Sequence, residues 1–80
     1  MRIVVLPPFD REFFGGRDVL EIEAGSLLAL VDRLDALAPG FAEQAEARAA
    51  FAIDGVFAPD WTRRLAGVDE VVLLQRVAGG

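Results

Sequence analysis

The sequence predicts an α+β domain in which a mixed sheet of four or five strands packs on one main helix. Three observations predict it. Residues 2–6 (Arg-Ile-Val-Val-Leu) are a β-branched apolar run stopped by Pro7-Pro8, which reads as a buried strand. Residues 27–38 repeat apolar side chains at three- and four-residue spacing, the pattern of an amphipathic helix. Residues 70–75 (Glu-Val-Val-Leu-Leu-Gln) read as a last strand. A helix with one apolar face needs a sheet to cover. Eighty residues leave room for one core, so a single domain is expected over 1–80, with a flexible C-terminal tail from about residue 75.

The remaining elements follow in chain order. Phe9 to Gly16 mixes charge, aromatic rings and two glycines, and is expected to be a connecting loop whose Phe residues fold back onto the core. Residues 17–23 contain the alternation Leu20, Glu21, Ile22, Glu23, which gives a strand with Leu20 and Ile22 facing inward. Gly25-Ser26 ends it, and Ser26 is placed to cap the helix that follows. That helix has Leu27, Leu30, Val31, Leu34, Leu37 and Ala38 on its apolar face, and Pro39-Gly40 stops it. Residues 41–48 are Ala-rich and polar, consistent with a short surface helix or an ordered loop. A strand follows through Phe51 and Ile53. The Asp54-Gly55 pair then turns the chain into a short strand at Val56, Phe57 and Ala58. Asp60 to Leu65 reads as irregular or as a single helical turn, and Gly67-Val68-Asp69 as a further turn.

Composition excludes several function classes. The chain is 54% hydrophobic and 26% charged, which sets it among folded domains. No apolar run is long enough to span a bilayer, and the short apolar start lacks a signal-peptide cleavage site, so a soluble cytoplasmic protein is expected. A net charge of −5 argues against a nucleic-acid partner; it fits a partner with a basic surface, or solubility alone. There is no Cys, His, Lys, Tyr or Asn, and all eight basic residues are Arg. The usual nucleophiles, general bases and metal ligands are therefore missing, so no metal site is expected and independent catalysis is improbable. The hydroxyl of Ser26 has only carboxylates to serve as a base and is better read as a helix cap.

The chemistry points instead to the chain end. Along the last strand, if Val71 and Leu73 face the helix, then Val72 and Leu74 face outward. Two outward apolar residues are either scattered surface or a docking patch for a partner. They adjoin the ending Val77-Ala78-Gly79-Gly80. From Leu74 to Gly80 an extended chain could reach about 20 Å from the domain. Its last residues are small enough to enter a narrow channel. Reaction at an uncrowded terminal carboxylate needs no nucleophile, base or metal from this chain, only a partner enzyme that receives the end.

The element order, the Asp54-Gly55 hairpin, the run Gly67-Val68-Asp69-Glu70-Val71-Val72-Leu73-Leu74 and the ending Val77-Ala78-Gly79-Gly80 resemble the MoaD/ThiS family. The resemblance spans essentially the whole chain and is most specific at the last strand and diglycine. It implies a β-grasp, ubiquitin-like fold. It also implies that an E1-like enzyme of the MoeB/ThiF type uses ATP to adenylate the Gly80 carboxylate, after which sulfur displaces AMP to leave a thiocarboxylate. No cofactor would be bound by the chain itself. Leu74 matches the family's apolar contact beside the tail and Gly79-Gly80 its diglycine. Val72, Arg76, Val77 and Ala78 would complete the partner contact. Length, the first connection with Phe13-Phe14-Gly15-Gly16 and the helix start at Ser26 are similar to MoaD, which implies the large subunit of molybdopterin synthase as sulfur acceptor. Gln75-Arg76 stand where many MoaD sequences carry Pro-Pro. Leu74-Gln75-Arg76 and Pro59-Asp60-Trp61 look closer to ThiS, which implies thiazole synthase.

Other residues read more plainly. Arg63-Arg64 is a solvated turn or a contact to an acidic partner. Trp61 closes the core or anchors an interface. Asp69 and Glu70 point to opposite faces of a strand, which argues against joint acid–base work; Asp69 suits a turn. A passive ubiquitin-like interaction module, whose end is never activated, stands as the alternative to a sulfur carrier.

Overall fold

The fold, a computed structural model of the chain, is described for residues 1–76. Its elements are β1 (Arg2–Val5), α1 (Phe9–Phe13), β2 (Val19–Glu21), α2 (Leu27–Leu37), α3 (Phe41–Arg48), β3 (Ala49–Ile53), β4 (Val56–Phe57) and β5 (Glu70–Gln75). The five strands form one sheet in the order β2-β1-β5-β3-β4. The first and last strands lie parallel at its centre, with Ile3 beside Val71 and Val5 beside Leu73. Antiparallel partners flank them, β2 on β1 and β3 on β5. This is the β-grasp arrangement that the sequence implies.

The parallel pair explains the alternation along β5. Ile3, Val5, Val71 and Leu73 are fully buried on one sheet face, in one core with Leu27, Leu30, Val31 and Leu34 of α2. Ser26 caps α2 as expected: its Oγ accepts from the Ala29 N–H at 3.1 Å. The backbone N–H groups of Leu27 and Leu28, orphans of the first helical turn, donate to the carbonyls of Arg63 and Trp61. The irregular segment 60–65 is thus a lid on the start of α2. The Trp61 ring meets Phe51 edge-on, with centroids 5.4 Å apart.

Four expectations need correction or sharpening. Residues 9–13 are helical rather than loop. Phe9 and Phe13, four positions apart, both stack on Phe41 at near-perpendicular angles, and that packing offsets the weak propensity of so short a helix. Residues 41–48 take the helical of the two expected forms, with Phe41 and Ala45 wholly buried, so two shorter helices accompany the main one. Leu37 is 55% exposed because Ala38, four positions after Leu34, takes the inward slot at the end of α2. The second strand is shorter than 17–23, although Leu20 and Ile22 are both buried as its alternation requires.

Two turns rest on backbone that glycine permits. Gly40, between α2 and α3, has φ +99°, and the Asp35 carboxylate accepts from the N–H groups of Gly40 and Ala42 at the start of α3. Asp54 and Gly55 have φ values of 47° and 85°, the positive pair that a two-residue hairpin loop demands.

Candidate functional site

The register of β5 turns alternate side chains out of the core. Val72 and Leu74 are half-buried on the opposite sheet face, while Val71 and Leu73 are sealed inside. Val72 sits between Val4 on β1 and Ala52 on β3, and Leu74 lies opposite Ala50. Val19, 40% exposed, extends this apolar face at one edge beside Val4, and Phe57, 61% exposed, extends it at the other beside Ala52. The outward apolar surface is therefore a strip across all five strands rather than two residues. Val4 and Val19 share this face through the same two-residue alternation along β1 and β2. Phe57 carried no such signal, because a two-residue strand has no period to read.

Polar groups border the strip. The Arg2 Nε lies 3.4 Å from a Glu70 carboxylate oxygen. Both side chains are open to water, so this pair orders the border more than it stabilises the fold. At the other end, a groove of about 300 Å³ is lined by apolar residues that include Ala50, Phe57, Pro59 and Trp61, together with Glu46 and Arg76.

Arg76 is the last described residue, and both its main chain and its side chain are held. Its N–H donates to the Arg48 carbonyl at 2.8 Å and its Nη2 to the Glu46 carbonyl at 2.7 Å. The other four residues singled out in the sequence, Val77, Ala78, Gly79 and Gly80, lie outside the described residues. The structure thus places Val72, Leu74 and Arg76 along the last strand and its end, with Val77 and Ala78 between Arg76 and the diglycine in the chain.

Sequence reasoning missed Arg48. Its guanidinium grips the Glu12 carboxylate with two hydrogen bonds, at 3.1 and 2.6 Å, and reaches the Gln75 side chain at 3.2 Å. The partners are 36 and 27 positions away, so no local pattern announces them. The Arg48 hydrogen bonds hold the Glu12 carboxyl below its usual range, and Glu12 raises Arg48 in turn. Asp60 is also held low, chiefly by the Thr62 hydroxyl and then by the Thr62 N–H. Neither carboxylate lies on the strip. Among the described residues no group of carboxylates is arranged to hold a metal ion. No helix among them is long and apolar enough to cross a membrane.

Comparison with known proteins bears on the family and the fold. The sequence model of the ThiS family matches residues 3–80. The crystal structure of CysO, an antigen of Mycobacterium tuberculosis, superposes with a TM-score of 0.78 at 17% identity. The match covers 95% of this chain and 98% of that one, a likeness of fold over the whole domain. Curated protein sequences give no match.

Proposed function

The chain belongs to the ThiS family of ubiquitin-like sulfur carriers, and from that premise we propose that its reactive group is the carboxylate of Gly80. An E1-like enzyme of the MoeB/ThiF type docks on the strip around Val72 and Leu74 and receives the last residues. A carboxylate oxygen attacks the α-phosphorus of ATP, pyrophosphate leaves, and an acyl adenylate forms. A sulfide-level nucleophile supplied by a partner protein then attacks the acyl carbon and expels AMP, leaving a thiocarboxylate. The domain's own part is to present the end and to offer the docking surface. ATP and the sulfur source belong to the partners.

The observation that carries this reading is the apolar strip that includes Leu74 near the end of β5, with only Arg76, Val77 and Ala78 between that strand and a diglycine, in a chain without Cys, His or Lys. The molybdopterin synthase large subunit is the proposed acceptor, from the resemblance to MoaD. Thiazole synthase is the second reading, because Gln75-Arg76 stand where many MoaD sequences carry prolines and the run from Leu74 looks closer to ThiS. The proposed location is the cytoplasm. The test is ATP–pyrophosphate exchange with the host's activating enzyme, comparing the full chain with a chain ending at Gly79. Exchange with the full chain alone supports the reading; exchange with neither contradicts it. Sulfur transfer to the two candidate acceptors then separates the pathways.

A further inference from the structure

The end of α3 and the end of β5 satisfy one another. A helix leaves the carbonyls of its last turn without intrahelical partners. In α3, the Glu46 carbonyl accepts from the Arg76 side chain and the Arg48 carbonyl accepts from the Arg76 main chain. A cation there also meets the negative end of the helix dipole. The main-chain bond carries the β3–β5 ladder one step beyond the Ala49–Gln75 pair. Arg48 braces the same place from the other side. Its fork joins Glu12 on α1, Gln44 on α3 and Gln75 on β5, and its guanidinium carbon stands 5.1 Å from the centre of the buried Phe9 ring. Three elements therefore converge on the two residues before position 77.

We propose that Arg48 and Arg76 form a clamp that fixes the position and direction of the chain at residue 76, and so position the Gly80 carboxylate for activation. This inference rests on the carrier reading above and adds two positioning residues to it. Four residues span at most about 14 Å, so the reach of the carboxylate is measured from residue 76. Releasing Gln75 and Arg76 would add about 7 Å of slack and spread the carboxylate over many more orientations. Alignment of a reacting group to within an ångström is where such slack costs rate rather than affinity. Docking through Val72 and Leu74 would be untouched.

The test uses the full chain in wild-type, Arg48→Ala, Arg76→Ala and Glu12→Gln forms. Glu12→Gln keeps the side chain's shape and removes the charge that holds the fork, so it serves should Arg48→Ala perturb the fold. Two quantities are read: hydrogen-exchange protection of the Arg76 amide in the free chain, and kcat and KM for adenylation by the activating enzyme. In Arg48→Ala the Arg76 amide loses protection while Val71 and Leu73 keep theirs. In Arg48→Ala and Arg76→Ala, kcat falls about tenfold; in Arg48→Ala, which lies outside the partner contact, KM stays within about twofold of wild type. Glu12→Gln moves both quantities in the same direction by less. Unchanged Arg76 protection in Arg48→Ala overturns the clamp. Lost protection with unchanged kcat overturns its positioning role. A wild-type chain that is not adenylated removes the carrier reading and this role with it, whereas normal activation of every variant removes the role alone.

Discussion

Leu74 lies directly opposite Ala50 across the antiparallel β5–β3 pair, on the face turned away from the core, while its neighbour Leu73 is opposite Phe51 and fully buried. Adjacent leucines thus have opposite duties. Replacing Leu74 by Glu should leave the domain folded, at a cost of about 1 kcal/mol or less. It should weaken the complex with the activating enzyme by about 2 kcal/mol, roughly thirtyfold. Titration calorimetry on the complex and thermal melts of the free chain check both halves.

Leu73→Ala should do the reverse. The side chain is buried between β1 and β3, and its truncation leaves a cavity costing about 2–5 kcal/mol. In a domain of this size each kcal/mol lowers the melting temperature by about 4–8 °C, so the melt should fall by at least about 8 °C. Urea unfolding should show a lowered midpoint. Whatever fraction stays folded should bind the activating enzyme normally.

Ser26→Ala removes the acceptor for the Ala29 N–H at the start of α2. The expected loss is about 1 kcal/mol, with an unchanged denaturant slope, because the helix frays without exposing new core. Replacing Ser26 by Asp should recover most of it. Urea unfolding of the three chains measures this.

The carboxylates of Glu12 and Asp60 should contribute modestly to acid stability. Both are held below their usual ranges by hydrogen bonds, Glu12 from Arg48 and Asp60 from Thr62. Each binds its proton less readily folded than unfolded. Its stabilisation is therefore complete above the ordinary carboxylate range and drains away as pH falls through the depressed folded value. Glu12→Gln and Asp60→Asn should each flatten the acid limb of the stability curve and leave the shape between neutral and mildly basic pH unchanged. Denaturation midpoints from neutral to strongly acid pH show the difference.

Much of this was legible in the sequence because it is local. The period of α2, the Ser26 cap, the Asp54-Gly55 turn and the alternation in β5 are each set by residues within a few positions of one another. What escaped depends on distant partners. Phe9 to Phe13 looks like a loop until Phe41 supplies the surface on which both rings stack. Leu37 reads as core until the end of α2 fixes which residue points inward. The strip was half seen, because Val72 and Leu74 lie on the strand where parity was applied while Val4, Val19 and Phe57 reach the same face through pairing. Arg48 shows the limit most clearly: its partners come from α1 and β5, and only the fold brings them to one guanidinium.

The most direct measurement is the intact mass of the chain isolated from its own host grown with ample sulfur. The account predicts a population heavier by the difference between one sulfur and one oxygen, with fragmentation placing the exchange at Gly80. A chain found only as the plain acid, in cells that contain the activating enzyme, would contradict it, as would a mature chain extending past that glycine.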